Sequence, residues 1–348
     1  MINIISKSYL SSSVSGPQKV VRNLIKGLEI LKYPYIINQR LDACQRLWIH
    51  DDDFALTKLK DLPSEIKVVA GPNLYILPRH VPRAVDLSRA IWLHPSDWAK
   101  DFWIKTGFNR CPIAVWPAGI DTYEFVPSVK EKKIVLIYFK QRFPEELQIV
   151  EQELTKRKIL YKKIVYNHYI ESEFKQLLEE TKYIVWIGRQ ESQGIALQEA
   201  LSTNIPMLVW DVKNIGHWLA SKKEMAIFNK EENDFVNTSS APYFDSRCGV
   251  KIKEAGQLGA AVDIMETTWN QFSPRQYIVE NLSLEKQAKD LLMIYENYFS
   301  LSLEAGYDEK KIKKGQWRNN LWWYRLFVWF KSVIKKIKNL PLLHRKFK

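Results

Sequence analysis

The sequence has few cysteines, and none of them forms a pattern typical of a disulfide framework or a metal site. Cys44, Cys111 and Cys248 are odd in number, far apart and outside any CxxC or Cys/His cluster in the 348 residues. This spacing disfavours both structural disulfides and a zinc site. We therefore expect a reducing compartment and predict no bound metal.

Long hydrophobic runs are also missing. No stretch reaches the roughly 18 apolar residues that a membrane span needs, and residues 1–5 lack the flanks of a signal peptide. The chain is nevertheless 46% hydrophobic and 13% aromatic, which is typical of a folded protein. At this length it can form two α/β domains. A cytoplasmic location is the resulting expectation.

An excess of acidic residues is absent as well, and the positive charge is concentrated at one end. The formal net charge is +13, and residues 308–348 contain thirteen Lys or Arg against two acids. The rest of the chain is therefore nearly neutral. With no recognised module around the basic segment, this distribution does not favour nucleic acid as a partner.

The basic tail is predicted to be an amphipathic helix. One apolar stripe contains Trp322, Leu326, Trp329, Val333 and Ile337, whereas nearby lysines lie outside it. Aromatic residues beside lysines suit an anionic membrane surface, so residues 317–348 predict a peripheral membrane contact. The alternative is a terminal helix that packs on the body of the protein.

Short apolar runs alternate with helical patterns along the rest of the chain. Residues 2–5, 46–49, 67–70, 90–93 and 113–116 are predicted strands, and residues 18–31 a helix. After a charged linker at residues 128–133, a second series follows, with predicted strands at residues 134–139, 164–166, 183–187 and 207–210 and helices at residues 171–180 and 283–299. Two doubly wound α/β domains are the simplest interpretation.

Two glutamates, Glu191 and Glu199, surround a glycine at a predicted strand-to-helix junction. The strand at 183–187 precedes Gly194, and a helical pattern follows until Pro206. Open α/β sheets bind ligands at this edge, and a helix N-terminus there can face a diphosphate. Carboxylates on either side can accept hydrogen bonds from sugar and ribose hydroxyls. A nucleotide-sugar site is therefore the leading hypothesis. The alternative is that the two glutamates have this spacing by chance.

Several segments occur in an order that resembles a known family. They are Ser15-Gly-Pro17, Pro95-Ser-Asp-Trp98, Trp116-Pro-Ala-Gly-Ile-Asp121 with Phe125-Val-Pro127, Glu191 to Glu199, and Leu284-Glu-Lys-Gln-Ala288 with Ile294-Tyr295. Together they resemble the retaining GT-B glycosyltransferases with an E-x7-E motif, over roughly residues 1–300. The resemblance implies two Rossmann-like domains facing across a cleft, at residues 1–127 and 128–282. A crossing helix at 283–300 would complete the first domain, and the basic tail at 308–348 would follow.

By the same resemblance, Glu191 would contact the donor sugar and Glu199 the ribose. The backbone N–H groups of Gln193 and Gly194 would bind the diphosphate. Lys140 and Arg142 stand where the family has a basic pair for the leaving phosphate, although their spacing is shorter and two solvated side chains are the alternative.

The first domain matches the family less closely. Its glycine loop, which would border the donor site, has one glycine, Gly16, where many relatives have two. His94 is the best placed candidate for a donor-contacting histidine, with His80 and His50 as alternatives and a structural role equally compatible with the sequence. Tyr166, Asn167 and His168 are candidates for the nucleobase pocket.

These residues predict a metal-independent transferase that moves a sugar from a nucleotide-diphosphate donor to a glycan or lipid-linked acceptor, with no other cofactor. One alternative is a metal-dependent GT-A-like enzyme, because Asp51-Asp-Asp53 follows a predicted strand and clustered carboxylates suit a divalent ion. The same aspartates are also typical of a helix start. Another alternative is a catalytically silent membrane-docking protein with a degenerate sugar site.

Overall fold

The structure is a computed structural model and describes residues 1–11, 15–221, 224 and 226–298. Two parallel β-sheets, each covered by helices on both faces, account for most of these residues. The α/β class and the two parallel sheets predicted from the sequence are confirmed.

The first sheet contains six strands and is built from the first third of the chain. The strands are β1 (Ile2–Ile5), β2 (Tyr35–Ile37), β3 (Arg46–Ile49), β4 (Lys67–Ala70), β5 (Ala90–His94) and β6 (Ile113–Val115). They lie in the order β2-β1-β3-β4-β5-β6, and the described pairs are parallel. The helices of this half are α1 (Gly16–Ile30), α2 (Asp53–Leu56) and α3 (Asp97–Lys105).

The second sheet contains five strands in the order β11-β10-β9-β7-β8, again with parallel pairs. Its strands are β7 (Ile134–Lys140), β8 (Tyr161–Val165), β9 (Thr181–Gly188), β10 (Met207–Trp210) and β11 (Gly249–Ile252). The helices are α4 (Pro144–Lys156), α5 (Glu171–Glu180), α6 (Ile195–Ser202), α7 (Lys230–Asn233), α8 (Leu258–Thr268), α9 (Pro274–Leu282) and α10 (Leu284–Glu296). Short 3-10 helices lie at Ser8–Leu10, Leu59–Asp61, Pro78–His80, Ala255–Gln257 and Trp269–Gln271.

Local sequence explains why α1 begins at the edge of the first sheet. Ser15 is extended and its hydroxyl accepts a hydrogen bond from the Gln18 N–H at 3.4 Å, while Pro17 occupies the first turn. Both are typical helix-start residues, because they satisfy or remove amides that lack a partner inside the helix. The apolar face of α1 is buried against β1 and its neighbours. The loop before α1 is thereby held at the carboxyl end of β1.

Helix α10 returns from the second half of the chain and packs on α1. Gly27 of α1 lies directly against Leu284 and Ala288 of α10, and the indole of Trp116 donates to the Gln287 carbonyl at 2.8 Å. Lys67 donates to the Tyr295 carbonyl at the far end of the helix, at 3.0 Å. A single helix from the end of the described chain therefore contributes to the core beside the first sheet.

The predicted elements match the observed ones closely wherever the apolar run is long. Strands β1, β3, β4 and β10 and helix α5 have the predicted bounds, whereas β9 is longer than predicted by two residues at its start and one at its end. The sequence did not reveal strands β2 and β11. Both are short and lie at sheet edges, where side chains stay partly exposed and no buried run forms.

The predicted amphipathic tail lies outside the described residues. Among the residues that are described, no helix is long and apolar enough to cross a membrane. The three cysteines are all free thiols.

The approach of α1 to α10 generates a stability prediction at Gly27. A Cβ atom there would lie 2.9 Å from the Ala288 Cβ and would collide with the Leu284 carbonyl oxygen. Alanine gains about 1 kcal/mol of helix propensity over glycine, but overpacking costs about 1 to 3 kcal/mol, and a clash with backbone cannot be relieved by side-chain rotation. We expect Gly27→Ala to lower the midpoint of urea unfolding.

The control is Gly256→Ala, because a Cβ at Gly256 meets no atom within 4 Å. This variant should leave the unfolding midpoint unchanged or raise it slightly, because alanine restricts the unfolded chain and meets no clash. An unchanged or raised midpoint for Gly27→Ala would contradict the close helix contact.

Candidate functional site

The carboxyl ends of the two sheets face each other across a cleft. A cavity of about 470 Å³ lies there, lined from one side by the loop before α1 and from the other by the loops after β7, β8 and β9. The sequence-predicted site residues that line it are Gly16, Lys140, Glu191, Gln193, Gly194 and Glu199. Residues from both halves of the chain therefore meet in one cavity.

Glu191 lies in the loop after β9 and is held by its backbone. Its N–H donates to the Ser239 carbonyl at 3.0 Å, and its own carbonyl accepts from the Trp98 indole at 3.0 Å. The side-chain carboxylate forms an ion pair with Lys140 at the end of β7. The Lys140 ammonium also lies 4.2 Å from the centre of the Tyr166 ring. This arrangement places a fixed carboxylate and a fixed cation side by side at the cavity wall.

Gly194 sets the direction of helix α6. Its φ of +82° is in the left-handed region, which glycine adopts readily and other residues rarely do. The helix begins at the next residue, so its free N–H groups lie beside the cavity, where they favour an anion. Gln193 just before it donates to the Ala118 carbonyl at 2.8 Å and accepts from the Ala118 N–H at 2.9 Å. The start of α6 is thus tied directly to the other half of the molecule.

Glu199 lies one turn further along α6 and is only 4% exposed. Its carboxylate accepts a hydrogen bond from the Lys19 ammonium of α1 at 2.7 Å, and Glu171 lies 3.4 Å from the same nitrogen. Burial raises the pKa of Glu199 to about 7, against the opposing effect of Lys19. The ion pair joins the two halves of the molecule across the cavity.

Gly16 lies at the opposite wall as the first residue of α1. A Cβ atom built there meets no other atom within 4 Å, so the space beside it is open. The N-terminus of α1 therefore also borders the cavity, facing the start of α6 from the other sheet.

The expectation that Arg142 faces the diphosphate does not fit the structure. Arg142 is fully buried and donates to the Gly188 and Trp210 carbonyls at 3.0 and 2.9 Å. Its Nε donates to Glu146 at 2.9 Å, and a second bond to the same carboxylate completes a buried ion pair. The guanidinium therefore ties the ends of β9 and β10 to α4, and it does not line the cavity.

His94 lies outside this cavity and borders an adjoining one. Its ring packs edge-on against Trp103 with 4.5 Å between ring centres, and burial lowers its pKa to about 3, so the imidazole is neutral at pH 7. His50 is held by the Pro17 carbonyl at 3.0 Å and by Asn73 at 3.2 Å. Burial lowers the pKa of His80 to about 4. Of the three, only His94 borders either cavity.

Only some of the residues predicted to bind the nucleobase lie at the first cavity. Tyr166 and Asn167 line the cavity, whereas His168 does not. Sequence reasoning missed Lys19, Tyr169 and Glu171, which line it as well. The position of Lys19 two residues after Pro17, in the first turn of a helix facing the cleft, was the available signal.

The three aspartates at 51–53 form a helix start. Asp52 accepts from the Phe54 and Ala55 N–H groups at 3.0 and 3.2 Å and so caps α2. Asp51 accepts from the Lys7 and Ser8 N–H groups, and Asp53 pairs with the Lys7 ammonium at 2.6 Å. Asp52 also pairs with the Lys7 ammonium, at 3.0 Å. These contacts match the helix-start interpretation.

The buried carboxyl of Glu199 generates a pH prediction. Its pKa is about 7 in the folded protein against an ordinary value of 4.5, so the folded state holds this proton more tightly than the unfolded state does. Stability from this group is therefore complete below pH 4.5 and is lost as pH rises to about 7; the two pKa values differ by the equivalent of about 3 kcal/mol. Between pH 5 and pH 8, the wild type should lose unfolding free energy relative to Glu199→Gln.

Urea unfolding of both proteins at the two pH values measures this loss. Glu179→Gln is the matched control, because its carboxylate lies on the same half of the molecule and is 42% exposed. The raised pKa of Glu199 would be contradicted if the unfolding free energy of the wild type, relative to that of Glu199→Gln, stayed constant or increased between pH 5 and pH 8.

No protein-family model matches the sequence, and no curated protein matches it either. Solved structures do match. AviGT4, a glycosyltransferase involved in avilamycin A biosynthesis, is 12% identical with a TM-score of 0.53, over 86% of this chain and 98% of that one.

Two further structures match over similar lengths. The lipopolysaccharide outer core galactosyltransferase WaaB, in its apo form, is 11% identical with a TM-score of 0.51, over 86% of this chain and 99% of that one. Anabaena HepE in complex with UDP is 11% identical with a TM-score of 0.52, over 85% and 99%. At this level of identity the likeness concerns the fold. The chain has the GT-B fold of these glycosyltransferases, as its sequence predicted.

Proposed function

We propose that the protein is a retaining glycosyltransferase that moves a sugar from a nucleotide-diphosphate donor to a glycan or lipid-linked acceptor. The convergence of Glu191, Glu199 and the start of α6 on one cavity between the two sheets carries this proposal. The fold it shares with known glycosyltransferases supports it, and one of them, HepE, has been solved with UDP bound.

In the proposed complex, the diphosphate lies against the N–H groups of Gln193 and Gly194. Lys140 supplies the positive charge at the leaving phosphate, and Arg142 has no part in it because its donors are occupied. Negative charge grows on the phosphate as the glycosidic bond breaks. Fixed donors aimed at that charge lower the barrier more than they tighten binding of the substrate.

Glu191 and Glu199 take the two sugar-binding roles. Glu191 accepts hydrogen bonds from donor-sugar hydroxyls, and Glu199 accepts them from the ribose. Each carboxylate is paired with a lysine in the structure, so each would share or exchange that partner when the donor binds. Ion pairs already formed hold both carboxylates in place before the ligand arrives, which reduces the cost of ordering them.

The reaction needs no protein nucleophile in this proposal. The acceptor hydroxyl forms the new bond to the anomeric carbon on the face from which the nucleotide leaves. The proton of that hydroxyl passes to the leaving phosphate oxygen, and the nucleoside diphosphate departs. Positioning and phosphate stabilisation then supply the rate enhancement.

Membrane association rests on the sequence of residues 317–348, which lie outside the described part of the chain. Their aromatic and lysine residues would hold the protein at an anionic surface on the cytoplasmic side. A lipid-linked or surface-glycan acceptor follows from that location.

The first prediction from this proposal concerns donor binding. Nucleotide sugars are screened by thermal shift and calorimetry without added metal, on the wild type and Glu199→Ala. One class of donor should bind the wild type, and the variant should bind it about tenfold more weakly or worse, because charge-assisted hydrogen bonds to the ribose are lost. Glu179→Ala is the matched control and should bind like the wild type.

Turnover separates an enzyme from a silent binding protein. With a donor that binds, Glu191→Gln should lose about a hundredfold or more in kcat, because the contact of Glu191 with the donor sugar strengthens in the transition state. Transfer should persist in excess EDTA and yield a product with the anomeric configuration of the donor. Donor binding without any transfer would favour the silent protein, and loss of activity in EDTA would favour a metal-dependent enzyme.

A further inference from the structure

A second cavity of about 470 Å³ adjoins the one described above. Pro17, Asn73 and Glu191 border both, so the two form neighbouring parts of one cleft. The walls of the second part are largely aromatic: they include Tyr75, Trp98, Phe102, Trp103, Trp218 and Phe228. Such walls supply apolar area for the hydrocarbon face of a sugar or for a lipid chain.

One cation in this second cavity differs from the cations of the first. Lys19 and Lys140 are each paired with a carboxylate. Arg189 follows β9 and stacks on Trp218, with its guanidinium carbon 4.9 Å from the ring centre. Its Nε is buried and has no hydrogen-bond partner, and among the described residues no carboxylate forms an ion pair with it.

The two carboxylates at this cavity, those of Glu191 and Glu224, each have a partner among the described residues. Glu191 is paired with Lys140. Glu224 accepts hydrogen bonds from the Ser221 hydroxyl and N–H at 2.8 and 3.0 Å. His94 is neutral at pH 7, and its Nε2 also lacks a hydrogen-bond partner, as does the side-chain oxygen of Gln190. Three buried polar groups without partners therefore surround a single cavity, and native structures leave few such groups unsatisfied.

An arginine that lacks an acidic partner in a partly enclosed site favours an anion from outside. Guanidinium matches carboxylates and phosphates through paired hydrogen bonds, and stacking on an indole keeps its plane fixed. Because Glu191 would contact the donor sugar, a molecule in the second cavity lies beside the sugar to be transferred. That is the position the acceptor must occupy for transfer.

We propose that the second cavity binds the acceptor and that Arg189 selects acceptors carrying an oxyanion, either a carboxylate or a phosphate. The inference rests on the proposed glycosyl transfer and narrows its acceptor to an anionic class. The aromatic walls hold the apolar part of that acceptor, and the neutral His94 and Gln190 provide hydrogen bonds to its hydroxyls.

Calorimetry on the full chain tests this with three probes that share a glucose-type ring and an octyl group. Octyl glucoside is neutral, octyl glucuronide carries a carboxylate, and octyl diphosphoglucose carries phosphates. At least one anionic probe should bind about tenfold tighter than the neutral probe, as one charge-assisted hydrogen bond allows. A preference for the glucuronide indicates an acidic glycan, and a preference for the diphosphate indicates a lipid-linked acceptor.

Three variants assign the effect to Arg189. Arg189→Gln should remove the preference for the anionic probe while leaving binding of the neutral probe unchanged, and Arg189→Lys should keep part of it. Arg40→Gln is the matched control, because Arg40 is exposed and borders neither cavity. Unchanged unfolding midpoints show that the variants fold.

Equal affinity for all three probes, no binding of either anionic probe, or an unchanged preference in Arg189→Gln would each overturn the proposal. Donor binding, measured separately with Glu199→Ala, tests the proposed function itself. Absence of donor binding together with an Arg189-dependent preference for anions would refute glycosyl transfer while preserving an anion site. Donor binding without a preference for anionic probes would support glycosyl transfer and refute the anion site at Arg189.

Discussion

The contact between helices α1 and α10 is the constraint on which the cleft depends. Each sheet has its own core, and residues from the other half of the chain, such as Ala288 and Leu291 of α10, pack into the core beside the first sheet. Gly27 lets the backbone of α10 approach α1 closely, and the Trp116 indole then hydrogen-bonds the Gln287 carbonyl. Because α10 also follows α9 of the second half, this helix helps to set how the carboxyl ends of the sheets face each other, together with the hydrogen bonds between Gln193 and Ala118.

Charge organises the cleft once the sheets are in place. Glu191 and Glu199 would each be costly to bury alone, and each is paired with a lysine at the cavity wall. The Glu199 pair crosses between the two halves, so it also contributes to their alignment. Arg189 differs from Lys19 and Lys140, because no carboxylate among the described residues pairs with it. This difference supports a negatively charged acceptor in the second cavity.

The sequence predicted the parts of the fold and site that depend on local patterns. Strands with continuous apolar runs and the Gly194 turn into α6 follow from the order of residue types alone, and so does the position of Glu191 and Glu199 at a sheet edge. The sequence did not predict strands β2 and β11, because each is only three or four residues long and, apart from the buried Ile252, its side chains stay at least partly exposed. Their pairing is fixed by neighbouring strands distant in sequence.

Side-chain roles that depend on distant partners were harder to predict. Arg142 follows a strand end where a basic residue suits a phosphate, yet its surroundings include the Gly188 and Trp210 carbonyls, from strands much later in the chain. Lys19 shows the opposite case: its place in the first turn of α1 was a local signal, but its partner Glu199 lies 180 positions away, so the sequence did not reveal the pair. In both cases the tertiary fold, and not the residue type, decides the role.

A crystal structure with a bound nucleoside diphosphate, beginning with UDP, would show directly whether the cleft is a donor site. We expect diphosphate oxygens at the N–H groups of Gln193 and Gly194 and ribose hydroxyls at the Glu199 carboxylate, with the Lys19 contact shared or released. A nucleotide bound elsewhere on the protein, or a cleft that stays empty at saturating nucleotide with the Lys19 and Glu199 pair intact, would contradict it.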